Sequence, residues 1–138
     1  MVDFKRIVIP VDNTEESKNA VRKGVLLAKL LEIKAKIITV NDTHQFISSV
    51  VLEEKLRKEA SAFMEEFKKL GDGLGVKVET ELIIGKPAEE IVKFVKDDDL
   101  IIIAHHEKTT GIDSFMEENV SRDVVRYAPC SVLVVKHK

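Results

Sequence analysis

The chain has no tryptophan, one tyrosine, one cysteine and only three prolines in 138 residues, and each shortage excludes something. The lone Cys130 cannot close an internal disulfide, so the composition suits a reducing compartment. No apolar run approaches the roughly 20 residues that a membrane helix requires. Met1 leads almost directly into Ile7-Val8-Ile9, with no apolar targeting segment ahead of it. Secretion and membrane insertion are therefore not expected, and a cytoplasmic location is. Neither charge dominates: 22 Lys and Arg stand against 24 Asp and Glu, a net charge of -2. They are interleaved as on a solvated face, which excludes a nucleic-acid binder working through a broad basic surface. There is a single glutamine, Gln45, while charged residues make up 33% of the chain. That bias is found in heat-adapted proteins and predicts a high melting temperature.

What is present is an alternation of two patterns. Five short apolar runs, Ile7 to Val11, Ala35 to Val40, Val76 to Ile84, Leu100 to Ala104 and Ser131 to Val135, are separated by four segments of helical spacing. The runs at Ile37-Ile38, Leu100 to Ile103 and Val132 to Val135 are continuously apolar and rich in β-branched residues, as in strands covered on both faces. Alternating strands and helices imply right-handed crossovers and a single doubly wound parallel α/β domain of three layers, α/β/α, spanning residues 1–138. In Val76 to Ile84, by contrast, Val78, Thr80 and Leu82 alternate with charged residues. This predicts an edge strand that becomes buried only at Leu82-Ile83-Ile84.

Capping and apolar spacing place the helices. Asn13-Thr14-Glu15-Glu16 reads as an N-cap at Asn13 with Glu at the third helical position, opening a helix to about Leu31. In that helix Ala20, Gly24 and Ala28 form a small-residue stripe that would let it lie close on the sheet. The second carries Leu52, Leu56, Ala60, Phe63, Phe67 and Leu70 on one face and ends among Gly71, Gly73 and Gly75. Pro87 suits the first turn of a third helix that turns Ile91, Val92 and Val95 inward. A fourth begins at Ser114 with Glu117 three residues on, and buries Val120 and Val124. Pro10 lacks a ladder donor and is tolerable only near the end of the first strand.

In such a sheet ligands bind beyond the C-terminal ends of the strands at the switch point. The loops there would be Asp12-Asn13-Thr14 after the first strand, His105 to Gly111 after the fourth, and Val40-Asn41-Asp42 from the second. The Asp12 carboxylate can accept from an adenine amino group or a ribose hydroxyl, or it can simply neighbour a helix start and stabilise its dipole. The Val40 backbone can pair with a base edge, and the helix from Ser114 can point its free amides at a phosphate.

Over nearly its full length the chain resembles the universal stress protein family. The likeness rests on Arg6-Ile-Val-Ile-Pro-Val-Asp12, Gly85-Lys-Pro87, Asp99-Leu-Ile-Ile-Ile103 and Val125-Arg-Tyr-Ala-Pro-Cys-Ser-Val-Leu-Val-Val135. It implies a flavodoxin-like (adenine nucleotide alpha hydrolase-like) five-stranded parallel sheet of order 3-2-1-4-5. It also implies a cytoplasmic homodimer paired through the last strand at Val132 and Val134, and in many members an ATP site. Nucleotide-binding members carry a glycine after the fourth strand, a second three residues on, and a third before serine or threonine at the final helix. Here the first is Ala104, the second falls on Glu107 or Lys108, and the last pair becomes Glu118-Asn119. Gly111 and Asp12 remain. The altered nucleotide cradle is thus Asp12, Val40, Ala104, Lys108, Gly111 and Asn119.

A bare glycine lets main-chain amides approach phosphate, whereas Glu117 and Glu118 set carboxylates beside it. Each like-charge pair at about 4 Å costs about 1 kcal/mol even in water. The resemblance then leads to a non-enzymatic homodimer lacking ordinary ATP binding, with an unidentified protein partner or small ligand. The competing reading is an ATP-binding switch or slow ATPase. His105, His106, Glu107 and His44 are read as polar loop residues, because adjacent side chains on an extended segment point to opposite sides and rarely chelate one ion. Cys130 has no base beside it in sequence and is read as packing where the last strand begins. Neither Gly-x-Gly-x-x-Gly nor a P-loop occurs, and Asp12-Asn13 lacks the acidic pair of a phosphoacceptor domain.

Overall fold

A computed structural model describes residues 3–42, 50–105 and 118–136, with the backbone alone for 50–52 and 118. In chain order the elements are β1 (Arg6–Pro10), α1 (Glu15–Leu31), β2 (Lys34–Asn41), α2 (Val50–Asp72), β3 (Val78–Ile84), α3 (Pro87–Phe94), β4 (Asp99–Ala104), α4 (Glu118–Tyr127) and β5 (Ser131–Val135). The strands form one parallel sheet in the order β3-β2-β1-β4-β5, the predicted doubly wound arrangement. Two apolar layers flank it. Ile7, Ile9, Val25, Ile37, Phe63, Phe67 and Ile102 pack with α1 and α2 on one face. Val8, Ile38, Ile91, Ile101, Ile103 and Val124 pack with α3 and α4 on the other.

The small-residue stripe of α1 lies against the sheet: Ala20, Gly24 and Ala28 are buried, and a Cβ on Gly24 would come 2.5 Å from Ile9 Cδ1. The helix starts one residue later than the capping pattern predicts. Thr14 rather than Asn13 is the N-cap, because its Oγ1 accepts from the Ser17 N–H at 3.2 Å. The edge strand β3 also departs from expectation. Its buried end is the N-terminal one, at Val76 and Val78, and Ile84 is exposed. The reason is the last turn of α2, where Gly71 leaves its missing Cβ volume to Val78; a Cβ there would lie 2.1 Å from Val78 Cγ2. The outer positions Glu79 and Glu81 pair with Lys34 and Lys36 of β2 at 4.0 and 3.1 Å.

At the N-terminal edge of the sheet Arg6 spans β1 and β4. Its Nε and Nη2 donate to the two oxygens of the buried Asp99 at 2.9 and 3.1 Å. Its guanidinium carbon lies 4.8 Å from the Phe94 ring centre, and the Lys96 N–H supplies Asp99 with a third donor at 2.8 Å.

Candidate functional site

At the opposite edge, β1 is outrun by both its neighbours. Its pairing with β2 ends at Pro10↔Ile38 and with β4 at Val8↔Ile101, while β2 runs on to Asn41 and β4 to Ala104. Successive residues of a strand turn their peptide groups to opposite edges, so the orientation of the walls follows from a few bonds. The Val11 N–H donates to Ile38 O of β2 at 2.8 Å, which turns position 10 toward β4. A proline has no N–H to leave unpaired there, and the β1–β4 ladder has already ended. Asn41 O accepts from the Gly85 N–H beyond β3 at 3.0 Å, so the N–H and C=O of Val40 face the β1 side. The His105 N–H donates to Val135 O of β5 at 2.9 Å, so the peptide groups of Ala104 face β1 from the other side. The result is a notch with main-chain walls at Val40 and Ala104 and a floor at Pro10, Val11 and Asp12.

Buried polar side chains gather at this end. Asp12, Ser17, Thr39 and Asn41 are four of the six polar or charged residues described as buried. Asp12, 0% exposed, seats the first turn of α1. Its Oδ1 accepts from the hydroxyls of Thr14 and Ser17, the latter at 2.7 Å, and its own N–H donates to Ser17 Oγ at 2.9 Å. Thr39 Oγ1 donates to Val11 O at 2.8 Å. Asn41 is 2% exposed and its side-chain oxygen has no hydrogen-bond partner among the described residues. Leaving such a group unsatisfied costs about 1–3 kcal/mol.

Of the predicted cradle, the structure brings Asp12, Val40 and Ala104 to one notch and sets Asn119 in the first turn of α4, exposed. Lys108 and Gly111 lie outside the described residues, as do His44, His106, Glu107, Ser114 and Glu117. Ala104 is fully buried, its side chain part of the α1–α2 core. No segment of the notch described here, residues 10–14, 39–42 and 103–105, contains a lysine or arginine, while Asp12 and Asp42 bring two carboxyl groups. Sequence reasoning placed Thr14 in the candidate loop but not its bond to Asp12, and it missed Ser17 and Thr39. The spacing Asp-x-Thr-x-x-Ser ahead of an apolar helix was the available signal, since short hydroxyl side chains there bind local backbone.

Cys130 sits at the other end of the sheet, half-buried against the α3–α4 core. Burial pushes its thiol above the ordinary 9.0, and the negative charge of Asp99 adds to the rise. Ser17 is fully buried, and its hydroxyl serves the α1 start. Among the described residues no helix is long and apolar enough to cross a membrane.

The family model for the universal stress protein family matches residues 3–136. A universal stress protein of Methanocaldococcus jannaschii, MJ0531, is 34% identical over 96% of this chain and 82% of its own length. The solved structure of hypothetical protein MJ0577 superposes with a TM-score of 0.83 at 33% identity, covering 99% of both chains. The universal stress protein from Archaeoglobus fulgidus in complex with dAMP shares the fold, with a TM-score of 0.71 at 18% identity over 99% of this chain and 100% of its own.

Proposed function

The chain belongs to the universal stress protein family, and from that premise we propose that it is a cytoplasmic, non-enzymatic stress-response protein, a homodimer, that does not hold ATP in the ordinary way. The observation that carries this reading is the charge of the notch. Its described segments hold two aspartates and no cation, and the sequence reads Glu117-Glu118 where the family's phosphate-binding glycine leads into the last helix and bare amides would be needed. Ala104 fills with a core methyl the position of the family's first glycine. Several unfavourable charge pairs, each about 1 kcal/mol in water and more in a cleft, stand against a polyphosphate.

The homodimer rests on the β5 edge. Leu133 and Val134 are 46% and 36% exposed there, and Val125 and Tyr127 of the adjoining α4 are exposed as well. An uncovered apolar edge strand favours a partner strand. The sequence pattern points to Val132 and Val134; Val132 packs partly on the α3–α4 core, and Leu133 offers more apolar surface.

The alternative is a nucleotide switch or slow ATPase with an altered cradle of Asp12, Val40, Lys108, Gly111 and Asn119. The main-chain walls of the notch favour it, and a relative of the same fold holds dAMP. Calorimetric titration with ATP and magnesium separates the two. We expect no binding in the micromolar range; micromolar affinity would overturn the first reading in favour of the alternative. On the first reading Glu118→Gly raises whatever weak affinity the protein has, and an unchanged affinity would place that carboxylate outside the pocket.

A further inference from the structure

We propose that the outer face of α1 over residues 22–30 is a docking surface for an anionic lipid bilayer, on which the protein lies without crossing it. This goes beyond the reading above and does not depend on what the notch holds.

Six positions of α1 are exposed: Glu15, Arg22, Lys23, Leu26, Lys29 and Leu30. Four are charged, and the other two are leucines, 48% and 71% exposed. Leu30 is the most exposed large apolar side chain among the described residues. The core does not call for either leucine, because the helix is seated by Ala20, Val21, Gly24, Val25 and Ala28 on its buried face. Helix propensity does not call for them either, since lysine, glutamine or glutamate would serve as well and keep the face wet. The proposed strand pairing accounts for Val125, Tyr127, Leu133 and Val134 at the β5 edge, and not for these two.

The charges around the leucines identify the partner. At roughly 3.6 residues per turn, Leu26 and Leu30 form a ridge, with Arg22 and Lys29 on one flank and Lys23 on the other. None of these cations makes an ion pair among the described residues. Lys29, in the last turn, also suits the helix dipole, but Arg22 and Lys23 lie too far from either end for that. The neighbouring carboxylates are placed elsewhere: Glu15 and Glu16 in the first turn, Glu32 at the C-cap, and Glu66 of α2 against Lys18. A second copy of this face would set cation against cation. An acidic protein helix would answer the charge but needs a groove to lie in, and α1 presents a convex ridge. A bilayer meets both features, taking the leucines into the acyl boundary while the cations stay at the headgroups. Each cation near an anionic leaflet multiplies partitioning by about fivefold, and each leucine withdrawn from water by about tenfold.

The test is co-sedimentation of the full chain with vesicles of equimolar phosphatidylglycerol and phosphatidylcholine, against vesicles of phosphatidylcholine alone. We expect binding to the anionic vesicles that is at least about tenfold stronger than to the neutral ones and falls several-fold at about 0.5 M salt. Leu26→Ser combined with Leu30→Ser should lower the partition coefficient by about 30-fold or more, and Arg22→Glu combined with Lys23→Glu by a similar factor. All four side chains are exposed, so the melting temperature of each double variant should stay within about 3 °C of the parent. Should the double leucine variant not fold, Leu30→Ala must show a loss alone, by about threefold. Equal binding to both kinds of vesicle, or full binding by either double variant, would overturn the proposal. Indifference to both kinds would overturn it as well, in favour of an acidic protein segment on the ridge.

Discussion

Asp12 and Ser17 hold each other by two bonds in opposite senses: the Ser17 hydroxyl donates to Asp12 Oδ1 at 2.7 Å, and the Asp12 N–H donates to Ser17 Oγ at 2.9 Å. Both residues are fully buried, so neither bond has water as a substitute. The clasp joins the end of β1 to the first turn of α1 and fixes the floor of the notch. Ser17→Ala should lower the unfolding free energy by about 1–3 kcal/mol, the range for a buried group left without its partner. Urea titration followed by circular dichroism measures it; a loss below about 0.3 kcal/mol would mean that Asp12 is satisfied without Ser17.

The contact between Gly71 and Val78 predicts a coupled pair. Gly71→Ala improves helix propensity by up to about 1 kcal/mol, yet its Cβ would meet the buried Val78 Cγ2 at 2.1 Å. Overpacking of that kind costs about 1–3 kcal/mol, so the single variant should be less stable than the parent. In a Val78→Ala background the same change should become neutral or favourable. A double-mutant cycle in chemical denaturation checks the sign, and additive effects would contradict the contact.

Arg6 is the partner that makes Asp99 tolerable at 1% exposure. Arg6→Ala leaves only the Lys96 N–H facing that carboxylate among the hydrogen bonds described and should cost about 3–5 kcal/mol, as expected when one partner of a buried pair is removed. Arg6→Lys should recover only part of this, because an ammonium cannot engage both oxygens in a fork or stack on Phe94 in the same way. Melting temperatures of the two variants decide it; equal stability of Ala and Lys would show that the fork is not what matters.

Cys130 should be a poor nucleophile. Its thiol is pushed above 9.0 by burial and by Asp99, so the folded state favours the protonated form. Alkylation by iodoacetamide at pH 8 should run slower than with free cysteine and accelerate only as the pH passes above 9. The linked stability term has the same direction. It is intact below the unfolded thiol's pKa and is lost as pH rises from there through the folded value, because the unfolded chain then releases its proton first. Fast alkylation at pH 7 in the folded protein would contradict the environment described.

The β5 edge gives a prediction about assembly. Val134→Asp places a charge on the strand that the proposed dimer pairs through, and sedimentation velocity should show the parent as a dimer and the variant as a folded monomer. A monomeric parent at micromolar concentration would remove the pairing.

The fold was legible because its signals were redundant: β-branched runs at Leu100 to Ile103 and Val132 to Val135, the small-residue stripe on α1, and Pro87 at the start of α3 all agree with one arrangement. Where two residues of the same chemistry stood side by side, the pattern could not choose. Asn13 and Thr14 are both good caps, and the choice fell to Thr14 through its bond to the Ser17 N–H. The burial along β3 was read backwards, since alternation shows which residues share a face but not how far α2 reaches along it. Leu133 was passed over for the same reason: the strand's alternation picks Val132 and Val134, while exposure at an edge depends on where α4 stops. The site was legible only as an address. Asp12, Val40 and Ala104 converge on the end of β1, but that the buried Asn41 Oδ1 has no hydrogen-bond partner among the described residues depends on three-dimensional surroundings that no local spacing encodes.

The two margins of the sheet are unlike. Along β3 the outer groups are Glu79 and Glu81, tied to lysines of β2, while along β5 they are Leu133 and Val134. A strand-to-strand assembly needs two receptive sides to propagate, and this chain offers one. If the proposed pairing runs through β5, growth by that route terminates at a pair, because the described β3 margin meets a neighbour with charge where β5 meets it with apolar surface.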